Sequence, residues 1–536
     1  MITLDPQAIR TVLLGFSVVL SILFFPYGLN FYVLIKRASE YKVPEESSNK
    51  KKFKVTVQLP IFNEFYVVKR LIDACIRMTD RYGKELVQIL LLDDSTDDTT
   101  KLLAELVKKY KNLGYDIEMI HRDSREGFKA GALQNALKYT KNEFIAIFDA
   151  DFVPPEEFLI RVIPYFEDEK LGLIQCRWAH LNRDYNLITK AIAIGYDGHH
   201  IIEQTGRWAG GFLLNFNGSA GVLRKLALEE AGGWQSNTLA EDLDASYRMQ
   251  LKGWKALYLR DVKCWAEIPP TIPAIKKQQS RWASGSIRTF RKLCIQILKD
   301  KSLTLSKKVE ALIHLSFYSV HPLMFSAYLI ALIAAILDIR LVEFDVQAIL
   351  TRPIEEAGVM PNVSFFMKLF MYMQAISEAV WKAVEYMPQW VALNISIFFC
   401  AISMWIFYAH ALKYQDIKIK NEVKSLGALC LIGFGISISN TLAIIKGLFG
   451  RSTGTFFRTP KYRIEKATDT WKDKKYQVNL SKIVLLELVA GTLGLLSMLR
   501  AILASNPNLG IIPILLLYTV AYFYIAKLTL QQSSKE

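Results

Sequence analysis

The sequence is poor in charge and in the residues that staple small folds. Only 22% of its 536 residues are charged, and it has six cysteines, Cys75, Cys176, Cys264, Cys294, Cys400 and Cys430. No two stand as CxxC, so neither a zinc site nor a disulfide framework is indicated. Acids are in deficit, 51 Asp+Glu against 66 Lys+Arg, which leaves a net charge of +15. Such a surplus points to an anionic partner: nucleic acid, anionic lipid or a phosphorylated substrate. What the chain has in quantity is apolar side chains, 51% of the total. That excludes disorder, which needs low hydrophobicity.

The apolar residues are concentrated. Thr11 to Ile35 runs 25 residues without a charge, beyond the roughly 20 a spanning helix needs. It is too long for a signal-peptide core and ends in no small-residue cleavage site, so it reads as an anchor. Lys36, Arg37, Lys42, Lys50, Lys51, Lys52 and Lys54 follow it. The positive-inside rule then puts the N-terminus outside and the following domain in the cytoplasm. No stretch long and apolar enough to span recurs before about residue 305. Ala311–Leu337, Val391–Leu412, Ile483–Leu499 and Leu509–Ala526 complete five expected spans. Gly427–Ile445 is apolar but carries Ser437, Ser439, Asn440 and Thr441. Residues 338–390 hold seven acids and four bases, whereas 451–482 is strongly basic. An interfacial or re-entrant helix at 427–445 keeps the acidic loop outside and the basic one inside. The basic residues gather at cytoplasmic membrane edges, where anionic lipid accounts for them and no nucleic acid is needed.

Between the first two spans, Val55–Leu59, Val87–Leu92, Ile117–His121, Phe144–Phe148 and Leu171–Cys176 are short apolar runs separated by helical patterns. This alternation predicts an α/β domain with a mainly parallel sheet. Ligands of such sheets bind beyond the carboxyl ends of strands. Those ends are polar: Asn63-Glu64 after the first run, Asp93-Asp94-Ser95 after the second, Asp149-Ala150-Asp151 after the fourth. Caps and turns explain isolated acids. Asp149 and Asp151, at i and i+2 on a strand edge, also offer oxygens to Mg2+ or Mn2+. Lys129 at a helix start suits a phosphate. Asn217-Gly218-Ser219-Ala220-Gly221 is a turn of small residues that a ligand can approach. Glu241, Asp242 and Asp244 open a helix, as dipole partners commonly do. Gln278-x-x-Arg281-Trp282 lies in a basic stretch with apolar residues at helical spacing, which reads as an amphipathic helix at the membrane surface.

Together these motifs resemble the processive glycosyltransferases of family 2, which include cellulose, hyaluronan and plant mannan synthases. The resemblance rests on Asp93-Asp94-Ser95, Asp149-Ala150-Asp151, Glu241-Asp242, Gln278-x-x-Arg281-Trp282 and Phe457-Arg458-Thr459-Pro460-Lys461, in that order. Ala240 departs from the family's Thr-Glu-Asp. The resemblance implies a GT-A type cytoplasmic domain fused to an α-helical transmembrane domain. Its parts are an N-terminal helix (1–37), the transferase domain (50–270), interfacial amphipathic helices (271–306), transmembrane and interfacial helices (307–450), a gating loop (451–482) and C-terminal spans (483–530). It implies an inverting reaction that polymerises hexose from GDP-mannose or UDP-glucose into a β-linked polysaccharide, moved across the membrane as it grows.

In that scheme Asp242 is the general base, with Glu241 beside it. Asp149 and Asp151 hold Mg2+ or Mn2+, which stabilises the leaving diphosphate. Lys129 and Arg281 contact the diphosphate; Asn63, Glu64, Asp93 and Asp94 hold the nucleoside. Gln278 and Trp282 meet the acceptor, and Phe457, Thr459 and Lys461 close over the nucleotide. Asp244 is expected to be dispensable for transfer. The partners are then a nucleotide sugar, the growing chain and the bilayer of a cell membrane, or of the Golgi in a eukaryote. The rival reading is a glycolipid synthase moving one sugar to a lipid.

The charge pattern makes a direct prediction. A single cysteine introduced at Glu356 reacts with an impermeant thiol reagent on intact cells, and one at Lys474 does not. Reaction at both positions means that 427–445 crosses the membrane completely.

Overall fold

A computed structural model describes residues 5–45, 51–339, 402–450, 458–503 and 509–534, with single positions at 367, 373, 374 and 399. Most of the expected outside loop, the first part of the span expected from Val391, and Phe457 lie outside the described residues.

The chain opens on α1 (Pro6–Ser39), whose first turn is capped by the Asp5 carboxylate accepting the Gln7 N–H at 3.0 Å. Lys36 and Arg37 occupy its last turn, where cations meet the free carbonyls. A seven-stranded sheet follows: β1 (Val55–Ile61), β2 (Val87–Asp93), β3 (Asp116–His121), β4 (Phe144–Ile147), β5 (Leu171–His180), β6 (Gly221–Arg224) and β7 (Lys255–Ala266). Around and after it come α2 (Val68–Tyr82), α3 (Thr99–Asn112), α4 (Phe128–Ala136), α5 (Phe158–Val162), α6 (Leu187–Asp197), α7 (Gln204–Ala209), α8 (Lys225–Glu230), α9 (Glu241–Leu251) and α10 (Ile272–Lys299). The later helices are α11 (Leu305–Ser316), α12 (Val320–Ile336), α13 (Val423–Gly435), α14 (Ser437–Phe449), α15 (Ile483–Leu503) and α16 (Ile512–Gln532).

The strand order is β3-β2-β1-β4-β6-β5-β7. The first four strands are parallel and β6 runs against its neighbours β4 and β5. β1, β2 and β4 are buried throughout or nearly so, as strands covered on both faces must be. One face packs Val57, Leu59, Leu71, Ile72 and Phe158; the other packs Leu90, Leu133, Ile145, Leu223 and Met249. Pairing of Ile61 with Asp93 and of Asp93 with His121 brings three strand ends level. Pairing of Ile147 with Gly221 sets the turn before β6 beside the residues after β4. The sheet thus delivers the polar ends of β1, β2 and β4 and the 217–220 turn to one edge.

Among the described residues, four helical stretches are long and apolar enough to cross a membrane: Pro6–Ser39, Leu305–Ile336, Ile483–Leu503 and Ile512–Gln532. Phe16, Ile22, Leu485, Val489 and Leu496 face outward from them, exposed, as lipid-facing side chains do. Tyr328, Tyr518 and Tyr522 join α12 to α16 on the inside. The apolar 427–445 stretch is two helices, α13 and α14, bent by 45°. Segment 271–306 holds one long helix, α10, and it is wedged between partners along its first half. Ile272 and Ile275 pack with Ile188 of α6, Ile432 of α13 and Ile525 of α16, and Ile287 packs with Ile444 of α14.

α10 is pinned to α15 by an ion pair with both side chains buried, Lys276 Nζ donating to Glu487 Oε1 at 2.5 Å. Removing one partner of such a pair strands the other's charge, at about 3–5 kcal/mol. Lys276→Met is therefore expected to lower the unfolding midpoint in detergent, and the double variant with Glu487→Leu to recover most of it. Equal midpoints for the single and double variants would show that the pair does not hold this joint.

Candidate active site

The edge of the sheet is built from backbone turns that fix side chains. Asn63 adopts φ 55°, and the turn it makes is stitched to the next strand end. Its N–H donates to Ser95 Oγ at 2.9 Å and its side-chain oxygen accepts the Thr96 N–H at 2.8 Å. Asp93 is fully buried and spent on its own turn, accepting from the Ser95 N–H at 3.0 Å and Thr100 Oγ1 at 2.8 Å, with His121 Nδ1 at 2.7 Å. Asp94 takes a two-pronged contact from Arg122, Nε at 2.8 Å and Nη2 at 2.6 Å, the fork geometry that suits guanidinium to carboxylate. Asp94 lies at the mouth beside Asn63; Asp93 serves to shape the turn.

The two carboxylates after β4 part company. Lys129, from the first turn of α4, donates to Asp149 Oδ1 at 2.6 Å and to the Gly218 carbonyl at 2.8 Å. Lys461, far along the chain, donates to Asp151 Oδ2 at 2.5 Å. Ser219 Oγ accepts the Asp149 N–H at 3.0 Å, fastening the strand end to the neighbouring turn. Burial pulls the Lys129 ammonium down, but the carboxylates of Asp149, Glu241 and Asp242 outweigh it and hold the ammonium above its ordinary value.

Asp242 stands in the first turn of α9, next to buried Glu241. Withdrawal from water and then the Glu241 charge push its carboxyl up to about 7, against the pull of Lys129. Gly218, at φ +76°, passes so close that a Cβ there would lie 2.7 Å from Asp242 Oδ2 and 3.1 Å from Lys129 Nζ. Gly285 of α10 packs closely on this turn: a Cβ there would lie 2.8 Å from the Ala240 Cβ. In place of a side-chain cap at 240, Thr238 Oγ1 accepts the Ala240 N–H at 3.2 Å. Asp244 corrects an expectation. It is fully buried, bonded to Arg248 at 2.8 Å and to Lys292 of α10 at 2.7 Å. It ties α9 to α10, so its loss is costly to folding and it is no inert neighbour.

On α10, Gln278 Oε1 accepts the Tyr196 hydroxyl at 2.5 Å, and the Tyr196 ring lies 5.7 Å from the Trp282 ring. Arg281 is close enough to lower the Asp242 carboxyl, after Lys129 and the Leu243 N–H. The 458–476 segment lies across the strand ends. Arg458 Nη1 meets Glu64 Oε2 at 2.8 Å, Arg70 Nη1 donates to Glu465 at 2.8 Å, and the Tyr476 hydroxyl donates to Asp97. Thr459 is buried between Arg458 and Lys461. Burial pushes the Glu64 carboxyl up to about 7 in spite of Arg458 and Lys461.

The structure therefore gathers Lys129, Asp149, Glu241 and Asp242 in one cluster, and Asp151, Lys461, Glu64 and Arg458 in another alongside it. Sequence reasoning missed Glu267, which accepts the Tyr462 N–H at 2.8 Å and lies 3.4 Å from Arg70. It directly follows β7, so the rule that pointed to the other strand ends would have found it. Arg122, Arg70 and Tyr196 carried no signal of their own, being lone residues in helical or loop patterns.

Residues 53–285 match the family described as glycosyltransferase like family 2. They form a family 2 glycosyltransferase domain. Its mixed sheet, with helices on both faces, is GT-A-like. The chain is similar to glucomannan 4-beta-mannosyltransferase 9 of Arabidopsis thaliana, 40% identical over 274 residues, 50% of this chain and 51% of the relative. A probable glucomannan 4-beta-mannosyltransferase 7 of Oryza sativa subsp. japonica is 40% identical over 259 residues, 47% of this chain and 44% of that one. The chain spans about half the length of the curated relatives it matches. Among solved structures it is similar to the mannosyltransferase PcManGT from Pyrobaculum calidifontis in complex with GDP-Man and Mn2+, with TM-score 0.48 and 17% identity over 82% of this chain and 100% of that chain.

The charges around the transferase domain's Asp242 predict a pH profile. The base expected at Asp242 would work deprotonated, so the rate is expected to fall as pH drops through about 7. Lys129→Met removes a cation that holds this value down, so the acid limb of kcat/KM moves to higher pH. Glu64→Gln removes the other carboxyl raised to about 7 and leaves the limb where it is. A limb that follows Glu64 and ignores Lys129 refutes the assignment.

Proposed function

We propose that the chain is a membrane-embedded inverting glycosyltransferase. It polymerises hexose from GDP-mannose or UDP-glucose into a β-linked polysaccharide such as mannan, glucomannan or glucan. The observation that carries this reading is the cluster at the sheet edge: a carboxyl raised to about 7, Asp242, beside Lys129 and Asp149. The names of the relatives, at 40% identity, support a mannosyl or glucosyl donor.

The residues divide the work. The acceptor hydroxyl gives its proton to Asp242, its oxygen bonds the anomeric carbon from the face opposite the diphosphate, and the bond from that carbon to the diphosphate oxygen breaks. Configuration inverts. Asp94 and Asn63 lie where the nucleoside enters, and the ring face of Trp282, turned by Tyr196, suits the acceptor sugar. Arg281 balances negative charge on the diphosphate side.

Asp149 and Asp151 fit a divalent cation. Both present carboxylates at one strand end, Asp149 beside Lys129 and Asp151 beside Lys461. Among the described residues no group of three or more His, Cys, Asp or Glu could enclose a metal, so Asp149 and Asp151 would hold the cation together with oxygens from outside the protein. When bound, Mg2+ or Mn2+ stabilises the charge of the departing diphosphate. The catalytic domain faces the cytoplasm, and the apolar helices pass the polymer across a bilayer whose hydrocarbon cannot satisfy its hydroxyls.

Purified protein given labelled GDP-mannose or UDP-glucose with Mn2+ or Mg2+ is expected to make a long product that linkage-specific β-glycosidases degrade. Chelator abolishes synthesis, and Asp242→Asn lowers it by about 10²–10⁴-fold while nucleoside diphosphate binding persists. A single sugar on extracted lipid identifies a glycolipid synthase and defeats the polymerase reading.

A further inference from the structure

We infer that His199 is a positioning residue for transfer, acting through Asn217 on the turn that holds Lys129 and Asp242. This rests on the reading of Asp242 as the base. His199 lies in the wide π-type turn Gly198–Glu203 between α6 and α7. Such turns are rare and recur at functional sites.

The hydrogen bonds around it have a forced direction. The Asn215 carbonyl is a backbone acceptor, so Gln204 must turn its Nε2 toward it, at 2.6 Å. The same nitrogen donates to Asn217 Oδ1 at 3.0 Å. Asn217 therefore presents Nδ2 to the rings, 2.9 Å from His199 Nε2 and 3.4 Å from His200 Nε2. A donor meets His199 at Nε2, so that atom accepts and the ring proton sits on Nδ1. Nδ1 lies 2.8 Å from Glu203 Oε2 and donates to it. Glu203 is anchored in turn by Arg207 at 3.3 Å, and Arg207 by Glu310 of α11 at 2.8 Å.

The chain of bonds ends on the site. The Asn217 N–H is held by Gln175 Oε1 at 2.8 Å, and its side chain by His199. The next residue is Gly218, whose carbonyl accepts from Lys129 and where a Cβ would lie 2.7 Å from Asp242 Oδ2. Gln175 and Trp178 secure the far half of the turn through the Ser219 carbonyl. His199 secures the near half, the half that touches the base. Hydrogen bonds thus link Glu310 of α11 through Arg207, Glu203 and His199 to Asn217, one residue from Gly218.

The test compares His199→Phe, which offers no acceptor, with His199→Gln, whose side-chain oxygen can accept from Asn217. His199→Phe is expected to lower kcat on the order of 10²-fold, as misplacement of a catalytic group does, with nucleoside diphosphate affinity unchanged. His199→Gln restores most of the rate. Amine-reagent labelling of Lys129, read by peptide mass spectrometry, rises in His199→Phe and stays low in wild type and His199→Gln. Wild-type kcat with unchanged labelling in His199→Phe overturns the proposal, as does a His199→Gln variant no better than His199→Phe. If the wild type transfers no hexose, the assignment of Asp242 as base fails; the labelling still decides whether His199 positions the turn.

Discussion

Crowding of like charge governs this site. Asp149, Asp151, Glu241 and Asp242 converge from two distant parts of the chain, and four carboxylates gathered at one sheet edge repel one another. Lys129 and Lys461 relieve that repulsion at 2.6 Å and 2.5 Å. Much of the surrounding structure follows from the need to place those two ammonium groups. α4 starts where it does to aim Lys129 inward, Gly218 lacks a side chain because Lys129 and Asp242 fill the space, and the 458–476 segment lies over the strand ends with Lys461 inserted. The relief is incomplete at Asp242, whose carboxyl stays raised because burial, and after it the neighbouring Glu241 charge, outweigh the pull of Lys129.

Much of this was legible in the chain. Parallel strands end at one edge, so the polar residues after Val55–Leu59, Val87–Leu92 and Phe144–Phe148 had to meet, and they do. The boundaries of the first four strands moved by only a residue or two, β5 runs on to His180, and β6 and β7 were not foreseen. The start of α9 at Glu241 and the inward aim of Lys129 were also readable. Contacts between distant segments were not. Nothing local told that Asp93 would be consumed by its own turn while Asp94, one residue on, took Arg122. Asp244 looked equivalent to Asp242, since both are acids in a first helical turn. Helical geometry turned Asp244 inward to Arg248 and Lys292, and Asp242 toward Gly218. Nor did anything local show that Gly285 would pack on Ala240 with no room for a side chain.

The membrane part obeys a different economy. Apolar length identified the helices, but not the joints between them, which are polar and small. Lys276 with Glu487, Gly447 against Ser284, and Gly435 against Ile525 bring helices closer than bulky side chains allow. The 45° bend between α13 and α14 follows the Gly435–Ile436 step, ahead of the polar cluster Ser437–Thr441.

α10 touches both worlds. Near its start it is tied to α15; a few turns later Gly285 lies against Ala240, one residue from the acids of α9. A straight helix rises 1.5 Å per residue and transmits tilt better than it absorbs it. α10 thus links the apolar helices to the acids of α9: a displacement of α15 enters at Lys276 and reaches Ala240 through Gly285.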